Sequence, residues 1–245
     1  MRLRFVLVGV LLFGTAACTG GGPAPAPTPL PSVTETDGDR SPDGGVLRLA
    51  ESGLTNMQDA VGKPMVSWGL VFENTSPKMV PRRANVEVTL QDAAGGAIGN
   101  LPSYGLGNVP PGGRAGIGSD AYVDRAGVAK LAVRVTRVQW VRADSAELWA
   151  GLTAGGVITR RDGDRKAEIT FIVTSKYPGA LDHPGAQAVF RDSAGQIVGG
   201  TGPLRADPQA KYPPGKSEGR IDVLYGIPPA ANDDKTEVYL SPFYG

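Results

Sequence analysis

Two side chains carry most of the reactive chemistry in this sequence, because 245 residues include one cysteine and one histidine. The Cys18 thiol could act as a nucleophile, a metal ligand or half of a disulfide, but each role needs partner residues. His183 could act as the base of a Ser-His-Asp site, yet no Gly-x-Ser-x-Gly segment accompanies it. Because it precedes Pro184, which disfavours helical geometry, we expect His183 in an exposed connection.

The segment before the cysteine has the pattern of a secretory signal peptide. Residues 1–17 begin with Arg2 and Arg4, continue with an apolar run over 5–13, and end in small residues. At ~1.5 Å per residue, that run is too short to cross a hydrocarbon core about 30 Å thick. We therefore expect residues 1–17 to be a cleaved leader and not a membrane span.

The end of this leader, Thr15-Ala16-Ala17-Cys18, resembles the lipobox of bacterial lipoproteins. In that class the thiol takes a diacylglyceryl group, which carries fatty acids such as palmitate, and the cysteine becomes the mature N-terminus. The resemblance therefore implies lipidation at Cys18. Thr15 departs from the leucine that the motif prefers. Two acyl chains hold a protein stably on a membrane, whereas one holds it only marginally. The alternative is ordinary cleavage, which leaves an unpaired thiol.

The stretch that follows is predicted to be a tether. Residues 18–45 are rich in Gly, Pro and Ala and contain almost nothing that could fill a core. Alternating prolines at 23–31 favour extended polyproline II, with a rise of about 3.1 Å per residue. The tether could therefore hold a folded domain roughly 80 Å from a bilayer.

From Val46 onward the sequence is typical of short strands, and the pattern occurs twice. Apolar residues alternate with polar ones at 65–77 and 84–99, and the same order returns at 167–178 and 186–199. Gly- and Pro-rich turns separate the runs, and no long stretch has a helical period. An internal duplication of about 100 residues explains this recurrence.

The repeated pattern predicts an all-β protein with two tandem immunoglobulin-like β-sandwiches, at 46–145 and 146–245. A strand with one buried face needs a second sheet to cover it, and about 100 residues suffice for such a sandwich. We expect Trp68 to anchor the first core and Ile169 to take the equivalent place in the second. Neither core can rely on a disulfide, since the chain has a single cysteine.

The strand-and-turn segments Val88-Thr-Leu-Gln-Asp92 and Ala188-Val-Phe-Arg-Asp192 resemble the motif of FxLYD-type domains of bacterial surface lipoproteins. That resemblance implies an extracytoplasmic β-sandwich and no particular reaction. Both copies depart from the motif at its aromatic positions: Val88 and Ala188 stand in place of Phe, and Gln91 and Arg191 in place of Tyr.

Acidic residues supply the other candidate sites. Asp92 and Asp192 each begin a four-residue turn that ends in Gly, where an aspartate accepts hydrogen bonds from backbone N–H groups, so we predict a structural role. The acidic segments 36–45, 160–166 and 231–237 could offer oxygen ligands to calcium, but none fits the EF-hand spacing. We therefore predict no metal site and no cofactor.

Aromatic residues are the remaining candidates for a binding surface. Tyrosine is common at interfaces and stacks on sugars, although core packing accounts for it equally well. Five tyrosines fall in the second copy: Tyr177, Tyr212, Tyr225, Tyr239 and Tyr244.

The charge balance indicates which class of binding partner is not expected. The chain has 25 basic and 24 acidic residues and no basic stripe, which argues against nucleic acid as a partner.

We expect a non-catalytic adaptor that is lipid-anchored outside the cytoplasm of a bacterium. The amino-acid composition of the chain is typical of proteins from high-GC Gram-positive species. Its partner would be an envelope protein or a glycan, bound by loops and edges of the two modules. The alternatives are a cell-wall or carbohydrate hydrolase, and a substrate-binding or accessory lipoprotein of a transporter.

Overall fold

A computed structural model describes residues 33–34, 40–144, 151–163, 166–182, 184–202 and 211–242. These residues form several antiparallel sheets, so the predicted all-β fold class is confirmed. None of them belongs to a helix with the length and hydrophobicity needed to span a bilayer. The predicted leader, Cys18 and His183 lie outside the described residues.

The first sandwich consists of two sheets that face each other. Its strands are β1 (Val33–Thr34), β2 (Leu47–Gln58), β3 (Pro64–Asn74), β4 (Met79–Gln91), β5 (Ala97–Asn100), β6 (Tyr104–Leu106), β7 (Arg114–Tyr122) and β8 (Lys130–Arg142). One sheet has the order β2-β3-β7. The other has the order β1-β8-β4-β5, and β6 also pairs with β4. Among the described strands, β1 alone joins its sheet in parallel, against β8.

The second sandwich is smaller. Its strands are β9 (Leu152–Asp162), β10 (Lys166–Ser175), β11 (Leu181–Asp182), β12 (Gly185–Arg191), β13 (Ile197–Thr201), β14 (Lys211–Tyr212), β15 (Gly215–Val223) and β16 (Glu237–Ser241). The sheet β9-β10-β15 faces the sheet β13-β12-β16, and β11 pairs with β14. A 3-10 turn at Asp233–Lys235 precedes β16.

The strand alternation places a large apolar side chain at the centre of each core. Trp68 is fully buried among residues of both sheets of the first sandwich, and its ring meets Tyr104 edge-on at 5.0 Å. Ile169 is fully buried in the second core beside Phe171 and Phe190. Both predicted core anchors are confirmed.

The two sandwiches share one order of strand pairing. The sheet β2-β3-β7 corresponds to β9-β10-β15, and β8-β4-β5 corresponds to β16-β12-β13. The predicted turns at Asp92 and Asp192 connect equivalent strands, β4 to β5 and β12 to β13. This shared order is what an internal duplication predicts.

The folded part of the chain includes residues that the sequence assigns to the tether. Val33–Thr34 pairs with β8, and residues 40–45 form a turn at the opposite end of that sheet. Asp43 holds this turn in place, because it accepts hydrogen bonds from Ser41 and, at 2.6 Å, from Ser76. These hydrogen bonds lower the pKa of Asp43 to about 2.

The two sandwiches pack against each other, which the sequence left open. The outer face of β2-β3-β7 lies on the outer face of β13-β12-β16, so β3 is buried on both sides. Val71 contributes an apolar contact to Val189 and Ile197 across this interface. Ser67 donates a hydrogen bond to the Gly200 carbonyl at 3.0 Å and accepts one from its N–H at 3.1 Å.

Glycine allows an unusually close approach at this interface. A Cβ built on Gly69 would lie 2.6 Å from the Gly199 carbonyl oxygen, and one built on Gly200 would lie 2.6 Å from the Gly118 Cα. Real Cβ atoms essentially never come so close. Packed sheets ordinarily stand about 10 Å apart because side chains fill the space between them. Here the two backbones touch, and any larger residue would push them apart.

We expect Gly118→Ala to separate the sandwiches, because the new Cβ would collide with the Ala188 carbonyl oxygen. Overpacking of this kind costs about 1–3 kcal/mol, which lowers the thermal midpoint by several degrees. Calorimetry and small-angle scattering would measure the loss of stability and the larger radius. Gly179→Ala is the matched control, since a Cβ there meets open space. If the two variants had the same thermal midpoint and the same radius, the result would contradict the packing of the two sandwiches at Gly118.

Candidate functional site

A groove runs along the seam between the two sandwiches, and we call it the interdomain groove. The first sandwich contributes the connection that follows β6 and the start of β7. The second contributes the start of β9, Tyr177 and β16. The groove has a volume of about 460 Å³, which is within the usual range for ligand pockets.

The walls of the interdomain groove are edge strands. Among the described strands, β7, β9 and β16 each pair with a neighbour on one side only. An edge strand presents backbone N–H and C=O groups that another extended chain can pair with. The groove therefore combines a concave surface with the edges of three sheets.

The side chains in the interdomain groove are mostly apolar and aromatic. Leu152 and Leu240 contribute aliphatic surface, and Tyr177 and Tyr239 contribute rings. Burial raises the pKa of Tyr177 to about 12. Burial and a 2.6 Å hydrogen bond to Glu237 raise the pKa of Tyr239 as well. Both phenols are therefore neutral over the physiological pH range.

One end of the groove meets a chain of alternating charges that joins the sandwiches. Arg114 and Glu51 belong to the first sandwich, and Arg191 and Glu237 to the second. Both arginines donate hydrogen bonds to Glu51. Arg191 also donates a hydrogen bond to Glu237 at 2.9 Å, and the Tyr239 hydroxyl donates one to the same glutamate. With two positive and two negative members, the network is electrically balanced.

Burial and hydrogen bonding have opposite effects on the pKa values of this network. Burial alone would raise the pKa of Glu51, but hydrogen bonds from Arg191 and Arg114 outweigh it and hold that pKa below its usual value. Burial would likewise lower the pKa of Arg191, but its two glutamate partners raise it instead. Arg191 is the buried member of the network, and both of its glutamate partners compensate its charge.

Sequence reasoning missed the role of Arg191. It occupies the position of the motif tyrosine, and its side chain is 9% exposed. A long charged residue is almost never buried unless it is paired. The apolar pattern of β12 ends in this arginine, which was a sign that a buried and paired charge lies there. The sequence could not identify the partner, because Glu51 lies 140 residues away.

A partly buried carboxyl lies on β7, the strand that begins at Arg114. Asp120 shares a face of β7 with Gly118, and its Oδ1 has no hydrogen-bond partner among the described residues. Burial raises the pKa of Asp120 to about 6. At neutral pH the folded protein therefore carries a poorly compensated negative charge close to the interface.

The two repeated aspartates have the structural role that the sequence predicts. The Oδ1 atom of Asp92 accepts hydrogen bonds from the backbone N–H of Ala94 at 3.0 Å and of Gly96 at 2.8 Å. The Oδ1 atom of Asp192 accepts one from Gln196 at 2.8 Å. Both side chains stabilise the turns between equivalent strands.

The tyrosines of the second copy do not form one cluster among the described residues. Tyr177 and Tyr239 meet at the interdomain groove, whereas Tyr212 is buried in the second core. Tyr225 instead lies against Tyr122 of the first sandwich. Tyr244 lies outside the described residues.

Residues in each of the three candidate segments pair with other protein groups. Arg161 binds Asp233 at 2.7 Å, which joins two of the predicted candidate segments. Asp43, in the third, is held by serines. Within the described part of the chain, no three His, Cys, Asp or Glu side chains converge as metal ligands do.

No protein-family model matches this sequence, and no curated protein is detectably similar to it.

We expect Asp120→Asn to stabilise the protein at alkaline pH. A raised native pKa means that the native state binds the proton more tightly than the unfolded chain, so wild-type stability falls as pH rises through about 6. Asparagine removes this loss and should add about 1–2 kcal/mol at pH 8, after allowance for partial exposure. Denaturant titrations at pH 5 and pH 8 would measure the difference.

The matched control is Asp222→Asn, since Asp222 has the equivalent register position on β15 and is exposed. It should leave the pH dependence unchanged. If Asp120→Asn also kept the wild-type pH dependence, Asp120 would not be the titrating group.

Proposed function

We propose that this chain is a lipid-anchored, extracytoplasmic binding protein that captures an extended segment of a partner protein in the interdomain groove. The observation that carries this proposal is the meeting of three edge strands, β7, β9 and β16, around one concave surface. Extended peptides bind such edges by adding a strand, and neighbouring pockets select their side chains.

The composition of the groove supports binding of a largely apolar segment. Leu152 and Leu240 provide dry contact area, and the rings of Tyr177 and Tyr239 add contact surface with few rotatable bonds. Arg114 lies at the end of the groove, where its guanidinium is paired with Glu51 in the balanced network.

We further propose that both sandwiches are immunoglobulin-like and related to the FxLYD-type domains. The shared sheet order supports a common architecture for the two sandwiches. Leu90 and Phe190 also take equivalent buried positions before the Asp turns. In such modules function lies in edges and loops and not in the fold itself, which agrees with a site at strand edges.

The anchor is tested at Cys18. We expect fatty-acid labelling of the intact cell to mark the wild-type protein and not Cys18→Ser, and the variant to leave the membrane fraction, because two acyl chains supply the attachment. Ser41→Ala is a control far from the leader that keeps Cys18. A wild-type protein without label, or a serine variant that stays on the membrane, would contradict the lipid anchor.

The groove is tested by blocking it. Thr153 is exposed on β9 within the groove lining, so Thr153→Arg would place a long charged side chain across the path of a bound segment. We expect crosslinking in intact cells to recover one stoichiometric partner with wild type, and about tenfold less with the variant. Ile158→Arg is the matched control, because Ile158 is exposed on the same strand outside the groove lining.

The outcomes separate the alternatives. If Thr153→Arg and the wild type recovered equal amounts of the partner, the groove would not be its binding site. Capture of glycan in place of protein would favour an envelope polymer as ligand. Turnover of wall or carbohydrate substrates by the purified protein would favour the hydrolase, and loss of uptake on deletion would favour a transporter accessory.

A further inference from the structure

We propose that the end of the molecule formed by Val61, Lys63, Tyr122, Leu224 and Tyr225 rests on the lipid bilayer to which Cys18 is anchored. We call these five residues the aromatic patch. The inference rests on the proposed lipid anchor and adds to it a membrane-contacting surface and a defined orientation of the protein.

The aromatic patch contains several of the most exposed large apolar side chains among the described residues. Val61, at the tip of the turn between β2 and β3, is 86% exposed, Leu224 is 48% exposed and Tyr122 is 42% exposed. They account for three of the five large apolar or aromatic side chains that are most exposed in the described residues. Exposed apolar residues that gather at one place indicate a contact surface.

The chemistry of the aromatic patch is that of a membrane interface. Tyr122 and Tyr225 come from different sandwiches and meet edge to face at 5.7 Å. The Lys63 ammonium lies 4.3 Å from the Tyr122 ring centroid. Tyrosines collect at the headgroup level because one end of the ring is apolar and the other polar, and lysine keeps its charge in the headgroups while its stem lies on apolar surface.

The direction of β1 indicates that the surface in contact with the aromatic patch is the bilayer. β1 runs parallel to β8, with Val33 opposite Val133 near the start of that strand. The start of β8 lies at the same end of the sandwich as the aromatic patch, because Asn56, near the end of β2, bonds to Val128 just before β8. The chain therefore enters the fold from the patch end.

The turn after β1 supports the same direction. Asp43 binds Ser76, which lies between β3 and β4 at the end of the sandwich opposite the patch. β1 thus leads away from the aromatic patch, and Cys18 is attached to the patch side of the fold. At ~3.1 Å per residue, the stretch between Cys18 and Val33 reaches at most about 50 Å. A tether this short raises the local concentration of the bilayer, so a small apolar patch suffices for contact.

The experiment uses the full acylated chain in vesicles of phosphatidylcholine and phosphatidylglycerol. Acylation blocks the Cys18 thiol, so an introduced cysteine is the only one that an environment-sensitive dye can label. Val61→Cys places the dye in the patch, and Lys78→Cys places it at the opposite end, where Lys78 is exposed. Lipids that carry a quencher in the acyl chain report whether the dye enters the bilayer.

We expect the dye at position 61 to be quenched at least about twofold more than the dye at position 78, as for a residue 5–10 Å inside the boundary. Adding Leu224→Asp should reduce that quenching while the protein still floats with the vesicles. Equal quenching at both positions would overturn the orientation and leave the anchor intact. Wild-type protein that fails to float, as Cys18→Ser should, would overturn the proposed anchor and the orientation with it.

Discussion

The structure depends on the direct contact of two backbones that glycine permits. Gly69, Gly118 and Gly200 lie where ordinary side chains would hold two sheets about 10 Å apart. Without Cβ atoms, hydrogen bonds from Ser67 and Gly118 reach directly across the interface. The interdomain groove, the charged network and the aromatic patch all contain residues of both sandwiches. Each therefore exists only because this contact fixes one sandwich against the other.

The two sandwiches share their strand order but differ on their outer faces, and this difference explains why they pack as they do. By strand register, Ser67 and Gly69 on β3 correspond to Glu168 and Thr170 on β10, and Gly118 on β7 corresponds to Arg220 on β15. The first set is buried by the neighbouring sandwich, whereas Arg220 forms exposed ion pairs with Glu168 and Asp222. Charges on the equivalent face of the second copy discourage a third sandwich from stacking there.

The sequence predicts what depends on local periodicity, and the rest depends on contacts between distant residues. Alternation identifies both cores and places Trp68 and Ile169 correctly, since a period of two separates the faces of a strand. It does not say what covers the second face. Small residues at Ser67 and Gly69 read equally well as a solvated face, and only the partner sheet shows that they are packed. Arg191 was missed for the same reason, because Glu51 is remote in sequence.

Strand β7 relates the two proposed surfaces to each other. It begins at Arg114 beside the interdomain groove and ends at Tyr122 in the aromatic patch. An extended strand at ~3.3 Å per residue places these ends roughly 25 Å apart. A bilayer at the patch would therefore lie about that far from the Arg114 end of the groove. In the proposed arrangement an extended segment reaches the groove without approaching the headgroups, and the proposed anchor confines the groove to a thin layer above the membrane.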